Sequence, residues 1–527
     1  MSPITSPVKS VRRPGGVVQT PRRTGEGTPS RRSSGGADQK IFDIAALNLT
    51  SKEDIVRIEE PPPKVALERG KLLEEAKRVL EGAGKDGKKS VSLVVIGHVD
   101  AGKSTLMGRL LYELGHVDEK TRVLNERGSS KVGKSSFSWA WGLDETTEER
   151  ERGITMDIAL QSLTTSNRQI TILDAPGHKD FIPNMISGAS QADCALLVVD
   201  AATGEFEAGF DRGGQTREHI LLVRSLGVSQ VIVAVNKLDQ VNWAESRYKE
   251  ICRLLKAFLS QSGFQSPKIG FVPVAAMLGV NLVDRSSIEG SALTKWYKGP
   301  TLVDLLDKLE PPVRDIESPL RIPISNVFKA QGSGTGVSGR VCGGVVQVGE
   351  RVRVLPGDET AVVRSIEVDE NNVPWAAAGS NATLYLVAID PIYLAVGSIL
   401  CPPGNLVPLA TAFSARIIVF DIQVPITVGT SIELFHHSRD VPATLSKLVA
   451  TIDRASGSVV KKNPRVLSRG TSAEVEITLR GGTLSTPSVT GRPIPLEPFS
   501  VNKDMGRILV RRGGETIAAG IVLNVIV

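Results

Sequence analysis

The chain has 527 residues, of which 41% are apolar and 23% charged, with a formal net charge of +6. That length predicts three to four domains, and the apolar share can fill several cores. The longest apolar runs fall short of the roughly 18–20 residues of a membrane span, and the N-terminus lacks the apolar stretch of a signal peptide.

The charge is localised. Residues 1–40 carry Lys9, Arg12, Arg13, Arg22, Arg23, Arg31, Arg32 and Lys40 against Glu26 and Asp38, which accounts for the whole net charge. The rest of the chain therefore lacks the net basicity of a nucleic-acid protein, and any RNA contact there rests on local patches. The same stretch is rich in Ser, Pro, Gly and Arg and almost free of large apolar residues, which predicts a disordered tail. Four Ser/Thr-Pro steps (Ser2-Pro3, Ser6-Pro7, Thr20-Pro21, Thr28-Pro29) could take phosphates of about −1.5 to −2 charges each. A plain solubilising tail is the alternative. Residues 41–55 form an apolar–acidic island that suits either a docking peptide or a segment packed on the body. Pro61-Pro62-Pro63 ends this N-terminal unit, residues 1–63. In the linker at 64–88, Leu72, Leu73, Ala76, Val79 and Leu80 recur at helical spacing. That helix is expected to pack on the domain that follows.

Residues 89–313 alternate strands and helices, the pattern of a mostly parallel sheet covered on both faces. The apolar run Val91 to Ile96 leads into Gly97-His98-Val99-Asp100-Ala101-Gly102-Lys103-Ser104, and a helical pattern follows from Thr105. This is the G-x-x-x-x-G-K-[ST] phosphate loop in its strand-to-helix setting. Its backbone N–H groups and the helix dipole suit phosphate. Lys103 is expected at the β- and γ-phosphates, and the Ser104 hydroxyl on Mg²⁺. Next comes Arg152-Gly153-Ile154-Thr155, where Thr155 can complete the Mg²⁺ shell while the γ-phosphate is present and be released on hydrolysis. After a strand at Ile170 to Leu173 stands Asp174-Ala175-Pro176-Gly177-His178. Asp174 is expected to hold Mg²⁺ through water, Gly177 to sense the γ-phosphate, and His178 to orient the attacking water. Asn236-Lys237-Leu238-Asp239 follows the strand Val231 to Val235. Its Asp239 carboxylate can accept from N1–H and the 2-amino group of guanine, a pair adenine does not offer. The strand Phe271 to Val274 is followed by Ala275-Ala276-Met277, where the family resemblance set out below implies the last guanine-contact motif, usually led by serine. It implies the Ala276 amide at guanine O6 and, with the serine hydroxyl absent at Ala275, weaker or faster-exchanging nucleotide.

Pro311-Pro312 closes this domain. From about 314 the rhythm changes to short Val- and Ile-rich strands punctuated by Gly and Pro, which predicts two β-barrels, at 314–408 and 409–527. Lys461, Lys462 and Arg465 form a basic run that suits an RNA contact or a solvated strand end. Cys194, Cys252, Cys342 and Cys401 are scattered without a C-x-x-C pair, which argues against a zinc site or disulfide frame and fits a reducing, cytoplasmic setting.

The stretches 137–157, 174–193 and 204–219 resemble translational GTPases, in the group that holds elongation factor one-alpha, the class II release factor and the HBS-like ribosome-rescue GTPase. Leu143-Asp144-Glu145-Thr146 with Glu148-Glu149-Arg150, Ile182-Pro183-Asn184, and Arg224 to Val228 are similar to the HBS-like member. The resemblance spans roughly 65–527. It implies a multidomain protein: an α/β P-loop GTPase domain, then two β-barrels. It implies a monomer using GTP, GDP and Mg²⁺. It also implies catalytic roles for His178 and Asp100, with Val99 and Ile154 as an apolar gate before His178. The implied partners are the ribosome with its rRNA and a Pelota-like release-factor relative, with RNA-decay machinery reached through the tail. The implied task is rescue of stalled ribosomes and mRNA surveillance, as in no-go and non-stop decay. A carrier of aminoacyl-tRNA and a non-hydrolysing adaptor are the competing readings.

Overall fold

The computed structural model describes residues 67–83, 87–131, 139, 158–211, 214–285, 291–330, 334–454, 456–481, 489–490 and 492–526. The expected tail and the Arg152–Thr155 segment, with Ile154 and Thr155, lie outside the described residues.

Helix α1 (Arg69–Arg78) opens the described chain. The nucleotide-type domain then runs β1 (Lys89–Gly97), α2 (Lys103–Glu113), α3 (Glu119–Lys131), β2 (Ala159–Thr164), β3 (Arg168–Asp174), α4 (Ile182–Ala189) and β4 (Cys194–Asp200). It continues through α5 (Glu205–Phe210), α6 (Gln215–Leu226), β5 (Gln230–Asn236), α7 (Glu245–Gln261), β6 (Ile269–Pro273), α8 (Ser291–Thr294) and α9 (Leu302–Asp307). The sheet order is β2-β3-β1-β4-β5-β6. β2 is antiparallel to β3, and the other neighbours are parallel. β4 shows why: every residue of Cys194-Ala-Leu-Leu-Val-Val-Asp200 is buried, as a strand covered on both faces requires. One apolar cluster, including Leu197, Val199, Ile220 and Val223, fills one side. Another, including Leu93, Leu106, Leu110 and Ile232, fills the other. The chain leaves β1 toward β3 and returns to β4 on its opposite flank. The carboxyl end of β1 therefore sits at a switch point, where such sheets hold ligands.

Two closed antiparallel barrels follow. In the first, the strands Arg351–Leu355, Ile399–Cys401, Ile322–Ala330, Gly334–Arg340, Asn381–Val387 and Glu359–Val368 pair in that order, and the last pairs back to the first. In the second, the ring is Arg439–Ile452, Ser431–His436, Arg507–Arg512, Glu515–Ile526, Ala412–Val419 and Ser472–Gly481, closed the same way. Alternation drives both: Asn381–Val387 places Ala382, Leu384 and Leu386 inward and its other residues half-exposed. Closure removes sheet edges.

α1 corrects one expectation. Its buried Leu72 and Ala76 pack with Ile316, Val345, Ala377 and Ala378 of the first barrel and its approach, and only the turn that continues it, Val79–Ala83, lies against β1 of the nucleotide-type domain. Arg69 donates to the Val345 carbonyl at 2.8 Å, and Lys77 pairs with Glu317 at 2.6 Å. The reason is that the apolar stripe specifies burial, not a partner. The barrel's small residues Ala377 and Ala378 offer a surface that a helix can approach closely.

Candidate functional site

The phosphate loop is built by close approaches that glycine alone allows. A Cβ on Gly97 would lie 2.2 Å from the Val198 carbonyl oxygen of neighbouring β4. At Gly102 φ is +88°, and a Cβ would meet the Asn236 side-chain nitrogen at 2.6 Å. Asn236 needs that space. Its Nδ2 donates to the Ala101 carbonyl at 2.9 Å, and its Oδ1 accepts from the Ala276 amide at 2.9 Å. One side chain at the end of β5 thus binds the phosphate loop and the 275–277 loop together.

Lys103 opens α2 and is 8% exposed. Its Nζ donates to the carbonyls of Gly97 at 3.2 Å and His98 at 3.0 Å. Burial pushes its pKa down, and the nearby charges of Asp174 and Asp100 oppose that shift. Ser104 Oγ donates to Asp174 Oδ2 at 2.7 Å. A hydroxyl and a carboxylate at this separation are hard oxygen donors that fit Mg²⁺, which takes one or two protein oxygens and fills its shell with phosphate and water. Gly177 follows the same logic as Gly102: a Cβ there would stand 2.2 Å from Lys103 Nζ. Asp174, Gly177, Lys103 and Ser104 therefore meet at one point.

His178 is half-buried beside them. Its Nδ1 accepts from the Asp180 amide at 3.2 Å and lies 3.4 Å from Asp180 Oδ2. Asp100 is exposed, with φ of +59°. Val99 is half-buried, and Thr105 lies in the first turn of α2. Lys237 has φ of +58°, and its ammonium pairs with Asp200 Oδ2 at 2.7 Å. Asp239 follows in the short turn Leu238–Val241. Ala275 and Ala276 are buried, while Met277 is 43% exposed. The Ala276 amide, expected to face a base carbonyl, donates here to Asn236 Oδ1.

Sequence reasoning missed three residues here. Asp200 ends a fully buried strand, and a carboxylate in that position was an available signal. Gln215 and His219 lie in the stretch 204–219, which carried resemblance but no assigned role. Gln215 Oε1 accepts from the Val99 amide at 3.3 Å.

Residues 88–312 match the family described as the elongation factor Tu GTP binding domain, and residues 412–523 match the GTP-eEF1A C-terminal domain-like family. Protein HBS1 of Drosophila melanogaster is 44% identical over 479 residues, covering 91% of this chain and 69% of that protein. The chain is a translational GTPase of the HBS1 type. Elongation factor 1-alpha of Ignicoccus hospitalis is 43% identical over 445 residues, covering 84% of this chain and 97% of its own length. The GTPase-like domain of S. cerevisiae Ski7, solved with GTP, shares the fold with a TM-score of 0.67 at 19% identity, covering 82% of this chain and 97% of that one. This GTPase thus binds GTP and GDP and hydrolyses GTP. No described helix is long and apolar enough to cross a membrane.

Proposed function

We propose that this GTPase delivers a Pelota-like release-factor relative to the empty A site of stalled ribosomes in the cytoplasm, and that hydrolysis releases it there. The 44% identity to Protein HBS1 across 91% of the chain carries this reading. In it, the loop Gly97–Thr105 cradles the phosphates, with Lys103 at the β- and γ-positions. Ser104 and, through water, Asp174 would hold Mg²⁺, with Thr155 as a further ligand while the γ-phosphate is present. Mg²⁺, when bound, neutralises charge that develops on the phosphate oxygens. Asn236, Lys237 and Asp239 read guanine, and the 275–277 loop closes over the base.

Hydrolysis in this scheme is positioning and electrostatics. His178 orients water against the γ-phosphate. In the present geometry its Nδ1 accepts from the Asp180 amide, which leaves Nε2 as the nitrogen to face water. Val99 and Ile154 would gate the approach of His178 to the nucleotide. Ribosomal RNA is the external activator, as the family resemblance implies.

The 43% identity to elongation factor 1-alpha favours a second reading, a carrier of aminoacyl-tRNA. Nucleotide affinity, measured by fluorescence with and without each cargo, separates the two. A cargo that grips the Thr155 segment prefers the GTP state, and by linkage tightens GTP more than GDP. The expected result is GTP tightening by a Pelota-like protein, erased in Thr155→Ala. Equal tightening by charged tRNA would favour the carrier.

A further inference from the structure

The first three residues of the phosphate loop are each gripped from outside by the α5–α6 hairpin. His98 packs on Gly209, where an added Cβ would meet the His98 Cβ at 3.1 Å. The Val99 amide donates to Gln215 Oε1 at 3.3 Å. One turn beyond Gln215, on the same face of α6, His219 is wholly buried beside the Gly97 backbone. Burial and the charge of Lys103 lower its imidazole to about 3, so it is a neutral packing group at working pH.

α6 is itself held from behind. Glu218 Oε1 accepts from Thr516 Oγ1 at 2.9 Å, and Arg507 donates to the Ser225 carbonyl at 3.2 Å. Both partners belong to the second barrel. The helix is thus braced from the second barrel.

The gripped end of the loop faces Gly177. A Cβ on Gly177 would lie 3.1 Å from the Gly97 carbonyl oxygen and 3.3 Å from that of His98. Gly177 is the residue read above as the γ-phosphate sensor. Gln215 therefore acts on the part of the loop where a triphosphate differs from a diphosphate. The other end, Ala101–Gly102, is fixed separately by Asn236.

We propose that Gln215 is a positioning residue for the triphosphate: its carboxamide fixes the Val99 amide and thereby sets the phosphate loop for GTP over GDP. It touches the loop and does no chemistry. This rests on the phosphate-loop reading above.

The test uses the full chain with Gln215→Met, which keeps length and loses the acceptor. Dissociation rates of fluorescent GTP and GDP analogues are measured, with the thermal midpoint as a check on folding. A lost hydrogen bond of ordinary net worth corresponds to about a fivefold change. The expected result is roughly fivefold faster release of the GTP analogue, with GDP release changed by less than about twofold. Should Gln215→Met fail to fold, Gln215→Asn, whose amide is one methylene too short, carries the same expectation. An unchanged ratio of the two rates, or equal acceleration of both, overturns the proposal. Failure of the unmutated chain to bind either analogue would instead overturn the phosphate-loop reading.

Discussion

Asn236 shows how much one side chain can organise. Its amide has one donor and one acceptor arm in use, on the phosphate loop and on the 275–277 loop. Gly102 lacks a Cβ because that amide passes there. His178 is organised differently. It is half-exposed, and its contacts, Asp180 and the ring of Phe181 at 6.1 Å, come from its own segment. Such a residue can turn without disturbing the core. The His178→Ala variant should therefore keep GTP affinity within about twofold. It should lose ribosome-stimulated phosphate release by roughly a hundredfold or more, the scale of a lost acid–base or water-positioning group. Multiple-turnover phosphate release with empty-A-site ribosomes is the measurement, and a wild-type rate would remove His178 from the reaction.

Among the elements, α1 is where placement and sequence part. Leu72 is fully buried against the first barrel. Leu72→Ala should cost about 2–5 kcal/mol locally, as large-to-small core changes do. Amide exchange in Val345–Gln347 and Trp375–Ala377 should quicken, with GTP affinity unchanged; protection that stays at wild type would show the docking to be incidental. The stripe Leu72, Leu73, Ala76 announced a buried helix but carried no address. The nucleotide loops were legible for the opposite reason. Their chemistry is local: a glycine turn, a lysine and a hydroxyl in eight residues after an apolar strand. The barrels were legible as a class, through Val- and Ile-rich alternation broken by Gly and Pro. What stayed hidden were pairings between distant segments. Lys237 with Asp200, Gln215 with Val99, and Ala276 with Asn236 depend on which strand ends lie side by side. No periodicity within a segment encodes that.

At the scale of the whole molecule, Asp193 joins the nucleotide-type domain to the first barrel. It precedes β4 and is 6% exposed. Oδ1 and Oδ2 accept from Arg314 at 2.7 and 2.6 Å, Oδ2 also from the Ser92 amide at 3.0 Å, and Oδ1 from Arg340 of the barrel. Arg340 also donates to the Gln191 carbonyl. Every lone pair is used, which is the condition under which a buried ion cluster is tolerated. Burial alone would raise the Asp193 pKa, but the Arg340 charge and the Arg314 bonds outweigh it and hold the carboxyl below its usual range. The folded-state value thus lies below the unfolded one. The stabilisation is present above the unfolded carboxylate value of roughly 3.9, and it is lost as pH falls through the folded value. Asp193→Ala should be far worse than neutral, because it strands two buried guanidinium groups. Breaking such a cluster typically costs about 3–5 kcal/mol. Asp193→Asn keeps the shape and removes the titration. Unfolding followed from pH 7 down to about pH 3 should show the wild type losing more stability than Asp193→Asn across the acid end, with the variant already weaker at pH 7. Parallel acid profiles for the two proteins would mean that the cluster does not hold the domain and barrel together.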